Sequence, residues 1–241
     1  QSPGALLDNY DIIKPLGKGG YAKVYEVQHK KSKEIRACKH LSKRNIPDYD
    51  KFQREIKILI KADHPNIIKL YEVFESKNSL YLVMELCNGG ELFDRVIEHM
   101  EKNQMYSERD AANMFLQIMS SIDYCHNNGI AHRDLKIENV LKCGKFYKIC
   151  DFGSASDEIF DPTNSDEFIK EENFANFEKN TTLYYRAPEM CDRYSEYIVS
   201  EKVDIWALGC ILYTMVFKEQ PFMNAQQLEI ISGQYNLPSE E

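Results

Sequence analysis

Segments of mixed apolar and polar residues, separated by turns rich in glycine or lysine, fill the first third of the chain. Such segments are typical of β-strands. Five strands are predicted, at residues 10–16, 22–29, 34–41, 67–74 and 80–86. One helix is predicted between the third and fourth strands, from residue 48 to about residue 62, because apolar residues recur there at helical spacing. These residues are Phe52, Ile56, Leu59 and Ile60.

After Asn88-Gly89-Gly90 the pattern changes to longer segments with helical periodicity. Helices are predicted at residues 91–102, from Ser107 onwards, at about 203–216 and, as a short element, near Asn224. Ser107 is suited to cap its helix, since a serine hydroxyl accepts a hydrogen bond from a free backbone amide of the first turn. Together the elements predict an α+β fold of two lobes. A five-stranded antiparallel sheet and one helix would form residues 1–86, and a mainly helical lobe residues 87–241.

The composition is that of a globular protein, and 241 residues are enough to bury a substantial core. No apolar run approaches the roughly 18 residues that span a membrane, and the start of the chain lacks the features of a secretion signal. The net charge of −8 argues against nonspecific binding to nucleic acids. We therefore expect no transmembrane segment, no secretion and no nucleic-acid partner.

Seven cysteines are spread along the chain, and they form no C-x-x-C pair. No histidines accompany them at the spacing of a zinc site. We interpret them as free thiols of a cytoplasmic protein without a structural metal. Cys150 carries two open interpretations. It either faces a candidate site and can be modified, or it is a buried structural cysteine.

The strongest chemical signal is the segment His132-Arg133-Asp134-Leu135-Lys136-Ile137-Glu138-Asn139, followed by Asp151-Phe152-Gly153. Two acidic groups, one lysine and one amide stand there at fixed offsets on two adjacent loops. This set is suited to moving a phosphoryl group from a magnesium nucleotide to a hydroxyl. Asp134 would lie at the hydroxyl and Lys136 near the moving phosphate. Asn139 and Asp151 would hold the metal ions.

A second signal is the glycine-rich turn Gly17-Lys18-Gly19-Gly20-Tyr21-Ala22-Lys23-Val24. Glycines let backbone amides approach phosphate groups closely, but glycine turns are common and this signal is weak alone. A dinucleotide-binding turn would lead into a helix, whereas this one leads into a predicted strand. Ala22 is a small residue with one methyl group in this turn, which predicts altered mobility of the turn and not lost function.

Lys39 and Glu55 complete the predicted phosphate end of the site. Lys39 lies on the third predicted strand beside the small residues Ala37 and Cys38, which indicates a strand that faces a cleft. Glu55 lies on the inward face of the predicted helix. An ion pair between the two would hold the lysine against the phosphates of a nucleotide. Each residue alone has an ordinary surface interpretation.

In this order the motifs resemble those of the eukaryotic protein kinases, and the resemblance covers essentially the whole chain. It implies that Asp134 is the catalytic base and that the cofactors are ATP and Mg²⁺. Lys136 and Thr182 are typical of serine/threonine kinases, so the implied acceptors are hydroxyls of protein substrates. The implied nucleotide-binding residues are Leu16, Gly17, Gly19, Gly20, Ala22, Val24, Ala37, Lys39, Met84, Glu85, Cys87 and Leu141.

The same resemblance implies three supporting features. The adenine would hydrogen-bond the backbone of residues 85–87, with Met84 limiting access to the space behind it. Asp204, in the block Asp204-Ile205-Trp206-Ala207-Leu208-Gly209, would brace the loop that carries Asp134. A stack of side chains would join the lobes, made of Leu59, Leu70, His132 and Phe152.

The last third looks like the Numb-associated kinases, which include the adaptor-associated, cyclin-G-associated and actin-regulating kinases. The clearest match is Thr181-Thr182-Leu183-Tyr184-Tyr185-Arg186-Ala187-Pro188-Glu189-Met190. This likeness implies an extra helix at about residues 191–199, clathrin-adaptor substrates, and a cytoplasmic protein peripheral to endocytic membranes. Residues 83–86 and 89–93 look instead like calcium/calmodulin-dependent kinases, so that subfamily stays an alternative.

Residues 154–179 are rich in acidic and polar residues and are interpreted either as a mobile solvated loop or as an activation segment. In the second case, an acidic side chain placed near Arg133 would replace an activating phosphate. Kinase domains usually continue with further helices and an arginine that pairs with the equivalent of Glu189, so we expect a truncated chain.

Two other functions are compatible with a nucleotide site of this kind. A pseudokinase-type nucleotide-binding scaffold is disfavoured because the complete set of catalytic residues is present. A metabolic small-molecule kinase would share the chemistry, but it would not need the block at residues 182–189 that is suited to protein substrates.

Overall fold

The structure is a computed structural model that describes residues 3–18, 22–46, 48–102 and 106–238. A short helix, α1 (Pro3–Asn9), precedes an antiparallel sheet with the strand order β1-β2-β3-β5-β4. The strands are β1 (Tyr10–Lys18), β2 (Ala22–His29), β3 (Ile35–Ser42), β4 (Leu70–Glu75) and β5 (Ser79–Glu85). The five predicted strands are thereby confirmed. The fourth starts at Leu70 because the preceding Ile67 and Ile68 pair with Ile149 instead.

Helix α2 (Tyr49–Lys61) is the predicted helix of the first lobe. It packs on the sheet through the apolar residues at helical spacing, of which Phe52, Ile56 and Leu59 are buried. A second buried cluster holds α1 against the sheet, and it contains Leu6 of α1 and one residue of each strand, Tyr10, Val27, Cys38, Phe74 and Val83. Burial of a side chain of this size contributes about 1.5–3 kcal/mol of transfer free energy. The sheet is therefore packed on both faces where α1 and α2 lie.

The rest of the chain is mainly helical. Its helices are α3 (Leu92–Glu101), α4 (Glu108–Asn127), α5 (Glu167–Asn180), α6 (Pro188–Cys191), α7 (Lys202–Phe217) and α8 (Gln227–Ser232). The hydroxyl of Ser107 accepts a hydrogen bond from the backbone amide of Asp110 at 3.1 Å, which confirms the predicted cap of α4. The expected α+β fold of two lobes is confirmed.

A small hairpin positions the two motif loops. Its strands are β6 (Val140–Cys143) and β7 (Phe146–Ile149), joined by a turn in which Gly144 has a φ of +56°. Asn139 directly precedes β6 and Asp151 follows β7. The backbone amide of Cys150 donates to the carbonyl of Asn139 at 2.9 Å, so the hairpin brings the two metal-binding candidates to the same end.

Residues 154–179 are more ordered than the sequence predicts, because α5 forms within them. The carboxylate of Asp166 caps α5 by accepting from the amide of Ile169 at 2.9 Å. Phe174 and Phe177 of α5 are buried in a cluster with Phe160, Ala187, Met190, Val199 and Val203. These partners lie before and after the helix in the chain, which explains why local periodicity did not reveal it.

The helix predicted at residues 191–199 is wrong. Helix α6 ends at Cys191, and the following residues turn and lead to Val199. Val199 pairs with Phe160 through two backbone hydrogen bonds of 2.9 and 3.0 Å. Because of this pairing, the backbone at Val199 forms a β-bridge and not a helix. The Val199 side chain is buried in the cluster that contains Phe174 and Phe177 of α5.

Within the described parts of the chain, we find no helix with the length and apolar character needed to cross a membrane.

Candidate active site

Asp134 lies at the centre of a hydrogen-bonded group of three side chains. Its Oδ1 accepts from both the backbone amide and the hydroxyl of Thr182, at 2.8 and 2.9 Å. Its Oδ2 lies 3.2 Å from Nζ of Lys136, which also donates to the Thr182 hydroxyl at 3.0 Å. The carboxylate is thus fixed on one oxygen, while the other oxygen faces a cation.

The loop that carries Asp134 has a strained backbone held by one buried acid. Arg133 has a φ of +65°, a conformation that costs a residue with a side chain about 1–3 kcal/mol. Asp204 of α7 is 1% exposed and accepts from the amides of His132 and Arg133 at 2.8 and 2.9 Å. It also lies 2.9 Å from Nε2 of His126. The bracing expected of Asp204 is therefore formed by direct hydrogen bonds.

Asp151 and Asn139 provide the oxygen atoms that a magnesium ion would need. Asp151 lines the cleft with a backbone φ of +62°, and its Oδ1 accepts from the Gly153 amide at 3.4 Å. The Nδ2 of Asn139 donates to the carbonyl of Asp134 at 3.0 Å, and none of the hydrogen bonds described for this chain uses its Oδ1, which can accept. Carboxylate and amide oxygens are ligands suited to Mg²⁺, which takes its remaining ligands from water and phosphate. The residues present fit that ion.

A cavity of about 810 Å³ brings most of the predicted phosphate end together. Lys39 and Glu55 line it, together with Ala22, Asp134, Lys136 and Asp151. Glu55 is 7% exposed, and its Oε2 would lie 3.7 Å from a Cβ atom placed on Gly153. Lys39 and Glu55 therefore line the same cavity. The ion pair between them stays a prediction.

The residues predicted to hold adenine do not line this cavity. They lie on neighbouring positions of the sheet and hairpin instead. Across the sheet, Val24 is paired with Gly17 and with Lys39, and Ala37 is paired with Met84. The remaining ones are Leu16 on β1, Glu85 at the end of β5, Cys87 after it, and Leu141 on β6. Gly19 and Gly20 lie outside the described residues.

The backbone amide of Glu85 already forms a hydrogen bond within the protein. The amide of Glu85 donates to the carbonyl of Lys69 at 2.9 Å, so adenine cannot accept from it. The Glu85 side chain forms an ion pair of 2.9 Å with Lys148, a lysine that is 8% exposed at its side chain. The Cys143 thiol donates to Glu85 at 3.3 Å and to the carbonyl of Leu86 at 3.6 Å. These contacts tie the connection between the lobes to the hairpin.

The sequence did not reveal one wall of the cavity. Asn176, Lys179 and Asn180 of α5 line it together with Ser154. The Ser154 hydroxyl donates to the carbonyl of Asn180 at 2.6 Å, which closes the segment on itself. A signal was present in Asp166-Glu167, because an acidic cap followed by a glutamate is typical of a helix start.

Arg133 is bound by residues 158 and 177 without a direct ion pair. Its guanidinium donates to the backbone carbonyl of Glu158 and lies over the ring of Phe177, 5.8 Å from the centroid. Among the described residues no carboxylate lies within 4.0 Å of it, so the acidic contact expected at this position is not formed. Burial lowers the pKa of Arg133, while the nearby acids Glu158, Asp204 and Asp157 oppose that shift.

Cys150 is partly exposed, so it is not a fully buried structural cysteine. Its thiol donates to the carbonyl of Asn139 at 3.4 Å, and burial raises its pKa to about 12. A raised pKa disfavours the reactive thiolate, and modification of Cys150 stays a prediction.

One contact of the predicted stack is formed, between His132 and Phe152, and the complete stack stays a prediction. Leu59, Leu70 and Phe152 belong to the same large buried cluster. The His132 ring lies 4.9 Å from the Phe152 ring, centroid to centroid, and its Nε2 lies 3.3 Å from the carbonyl of Cys150. Among the described residues no group of three or more acidic, histidine or cysteine side chains could hold a metal alone.

Comparison with known proteins gives a consistent result. The sequence profile of the protein kinase domain matches residues 10–238. A probable serine/threonine-protein kinase of Dictyostelium discoideum is 34% identical over 95% of this chain and 21% of its own length. Calcium-dependent protein kinase 3 of Plasmodium yoelii yoelii is 36% identical over 99% of this chain and 42% of its own length.

A third relative is calcium/calmodulin-dependent protein kinase type II of Caenorhabditis briggsae. It is 37% identical over 97% of this chain and 42% of its own length. The chain thus spans less than half the length of these three relatives.

Proposed function

Because this chain belongs to the protein kinase domain family, we propose that it transfers the γ-phosphate of ATP to serine or threonine hydroxyls of proteins. The observation that carries the proposal is the group made by Asp134, Lys136 and Thr182 at one side of the cavity. It combines a carboxylate, a cation and a hydroxyl at hydrogen-bond distance.

In the proposed reaction Asp134 orients the acceptor hydroxyl and takes its proton. Its Oδ1 is held by two hydrogen bonds from Thr182, which leaves Oδ2 for the acceptor. Lys136, 3.2 Å from that oxygen, stabilises the negative charge of the transferred group. Since both side chains are positioned before substrate binds, little reorganisation is needed in the reaction.

ATP would supply the phosphoryl group, and Mg²⁺ would neutralise its charge. Asn139 and Asp151 would hold the metal through side-chain oxygens. Lys39, positioned by Glu55, would contact the phosphates. Leu16, Val24, Ala37 and Leu141 would enclose the base, next to the backbone of Glu85 and Cys87. The turn from Gly17 to Ala22, with Gly19 and Gly20, would cover the phosphates, and Met84 would border the pocket.

The endocytic assignment is a finer prediction. It states that the substrates are clathrin-adaptor subunits and that the protein is cytoplasmic and peripheral to endocytic membranes. The likeness of residues 181–190 to the Numb-associated kinases supports it. The helix expected at residues 191–199 is missing, which weakens it. The names of two relatives favour a calcium- or calmodulin-dependent type instead. Transfer rates on purified adaptor subunits and on a calmodulin-kinase peptide would separate the two.

The general proposal is tested by incubating the protein with labelled ATP, Mg²⁺ and a mixed peptide library that contains serine, threonine and tyrosine. We expect label on serine and threonine only. Nucleotide binding without any transfer would support the scaffold function instead. Transfer to small metabolites but not to peptides would support a metabolic kinase.

We expect activity without phosphorylation of residues 154–181, because Phe177 and the Glu158 carbonyl already hold Arg133. Phosphatase-treated protein should therefore keep its rate of peptide phosphorylation within about twofold.

Phe177→Ala should destabilise the packing of α5 by about 3–5 kcal/mol, the usual effect of removing a buried phenylalanine. It should therefore lower the rate at least tenfold, measured as peptide phosphorylation per minute.

Phe168→Ala is the matched control, because Phe168 is on the same helix and is 75% exposed. It should leave the rate unchanged. A phosphatase-treated protein that regains activity only after incubation with ATP would contradict the prediction.

A further inference from the structure

A second cavity lies behind the candidate site, between α2, the end of α4 and the residues that follow Phe152. Its volume is about 350 Å³, at the lower end of the range for small-molecule sites. This size suits a compact ligand and not a folded partner. Both lobes contribute to its wall, and none of the residues that line it has been given a role in phosphoryl transfer above.

One wall of this cavity is cationic. Arg54, Lys57 and Lys61 line it from α2, at spacings of three and four residues that place them on one helix face. None of the ion pairs within 4.0 Å that the described residues form involves these three side chains. The only acid in the described lining is Asp157. The whole chain has a net charge of −8, so this wall is a positively charged patch on an acidic protein.

The cavity also has a buried apolar part, made of Ile67, Cys125, Phe152 and Ala155, which we call the apolar wall. Tyr124, Asn128 and Ser156 add polar groups beside it. Phe152 lines this cavity, while the residues on either side of it, Asp151 and Gly153, line the candidate active site. A ligand with an apolar body would remove water from this wall, which favours binding through the hydrophobic effect.

We propose that this cavity binds a small amphiphilic anion, a carboxylate or sulfonate on a compact apolar body. The acid group would lie at Lys57 and Lys61, and the body against Phe152 and Ala155. Inorganic anions lack an apolar body that could pack against the apolar wall. Neutral apolar molecules lack an acid group that could pair with the lysines. The site does not depend on the proposed transferase activity.

The test uses two fluorescent probes of the same shape class, applied to the whole chain. 8-Anilinonaphthalene-1-sulfonate carries the anion, and N-phenyl-1-naphthylamine is its neutral counterpart. Lys57→Gln/Lys61→Gln should weaken sulfonate binding about 5- to 30-fold, the effect of removing two modest charge interactions. It should leave binding of the neutral probe within about twofold. Both lysines are exposed, so folding is not expected to suffer.

The matched control is Lys31→Gln/Lys77→Gln, which removes two exposed lysines far from the cavity in sequence and lowers the net charge equally. It should leave both affinities unchanged. A separate apolar cavity of about 370 Å³ beside α7 has only uncharged side chains in its described lining. Probe bound there would be insensitive to both lysine variants.

A cavity-filling variant, Ala62→Phe, supplies the second measurement. It should reduce the number of bound sulfonate molecules by one, while the circular dichroism spectrum and thermal midpoint stay close to those of the parent. Equal sulfonate affinity in Lys57→Gln/Lys61→Gln and in the control variant would overturn the proposal. Unchanged stoichiometry in a folded Ala62→Phe protein would overturn it as well.

Discussion

Asp134→Asn should lower kcat by about 100- to 10,000-fold, which is the usual contribution of a positioned general base. Asparagine keeps an oxygen that can accept from Thr182, so the local hydrogen bonds at 2.8 and 2.9 Å have a replacement partner. It cannot take a proton from the acceptor hydroxyl. The loss corresponds to about 2.7–5.5 kcal/mol in the activation free energy. Initial rates of peptide phosphorylation at saturating ATP measure it.

The KM for ATP should change by less than about threefold in the same variant, because Asp134 is not among the residues proposed to bind the nucleotide. Asp123→Asn is the control, since Asp123 is exposed on α4 and contacts only Asn127 among the described hydrogen bonds. A kcat for Asp134→Asn equal to that of the control would refute the assigned role.

Asp204→Ala should lower the free energy of unfolding by about 2–5 kcal/mol, because it leaves two inward-facing backbone amides without their acceptor. The strained Arg133 backbone would lose the contacts that hold it, and the loop would relax. Since that loop carries Asp134, activity should fall at least tenfold even at temperatures where the variant is folded. Urea unfolding gives the stability, and rates on folded protein give the activity.

Asp204→Asn provides a graded comparison, because it keeps one of the two acceptor oxygens and should lose less stability than Asp204→Ala. Asp123→Ala, an exposed aspartate of the same lobe, should change the free energy of unfolding by less than about 0.5 kcal/mol. If Asp204→Ala unfolded at the same urea concentration as Asp123→Ala, the bracing role would be wrong.

The elements recognised in advance were those with a local pattern. Helix α2 was predicted from apolar residues on one face, and α4 from Ser107 at its start. Helix α5 was missed because only Phe174 and Phe177 bury an apolar surface, and their partners lie elsewhere in the chain. The hairpin β6–β7 was missed because each strand has only four residues. A helix at residues 191–199 was predicted from a family likeness and was prevented by the pairing of Val199 with Phe160.

The chemistry proposed for the site follows from local sequence. The spacing of Asp134, Lys136 and Asn139 puts three functional groups on one short loop, and no long-range contact is needed to infer their joint use. How that loop is held, and which groups face it, follows from long-range packing. Arg133 meets a backbone carbonyl and a phenylalanine ring where an acid was expected, because α5 folds back over it. Contacts between residues far apart in the chain depend on how whole elements pack, and local residue patterns do not encode that packing directly.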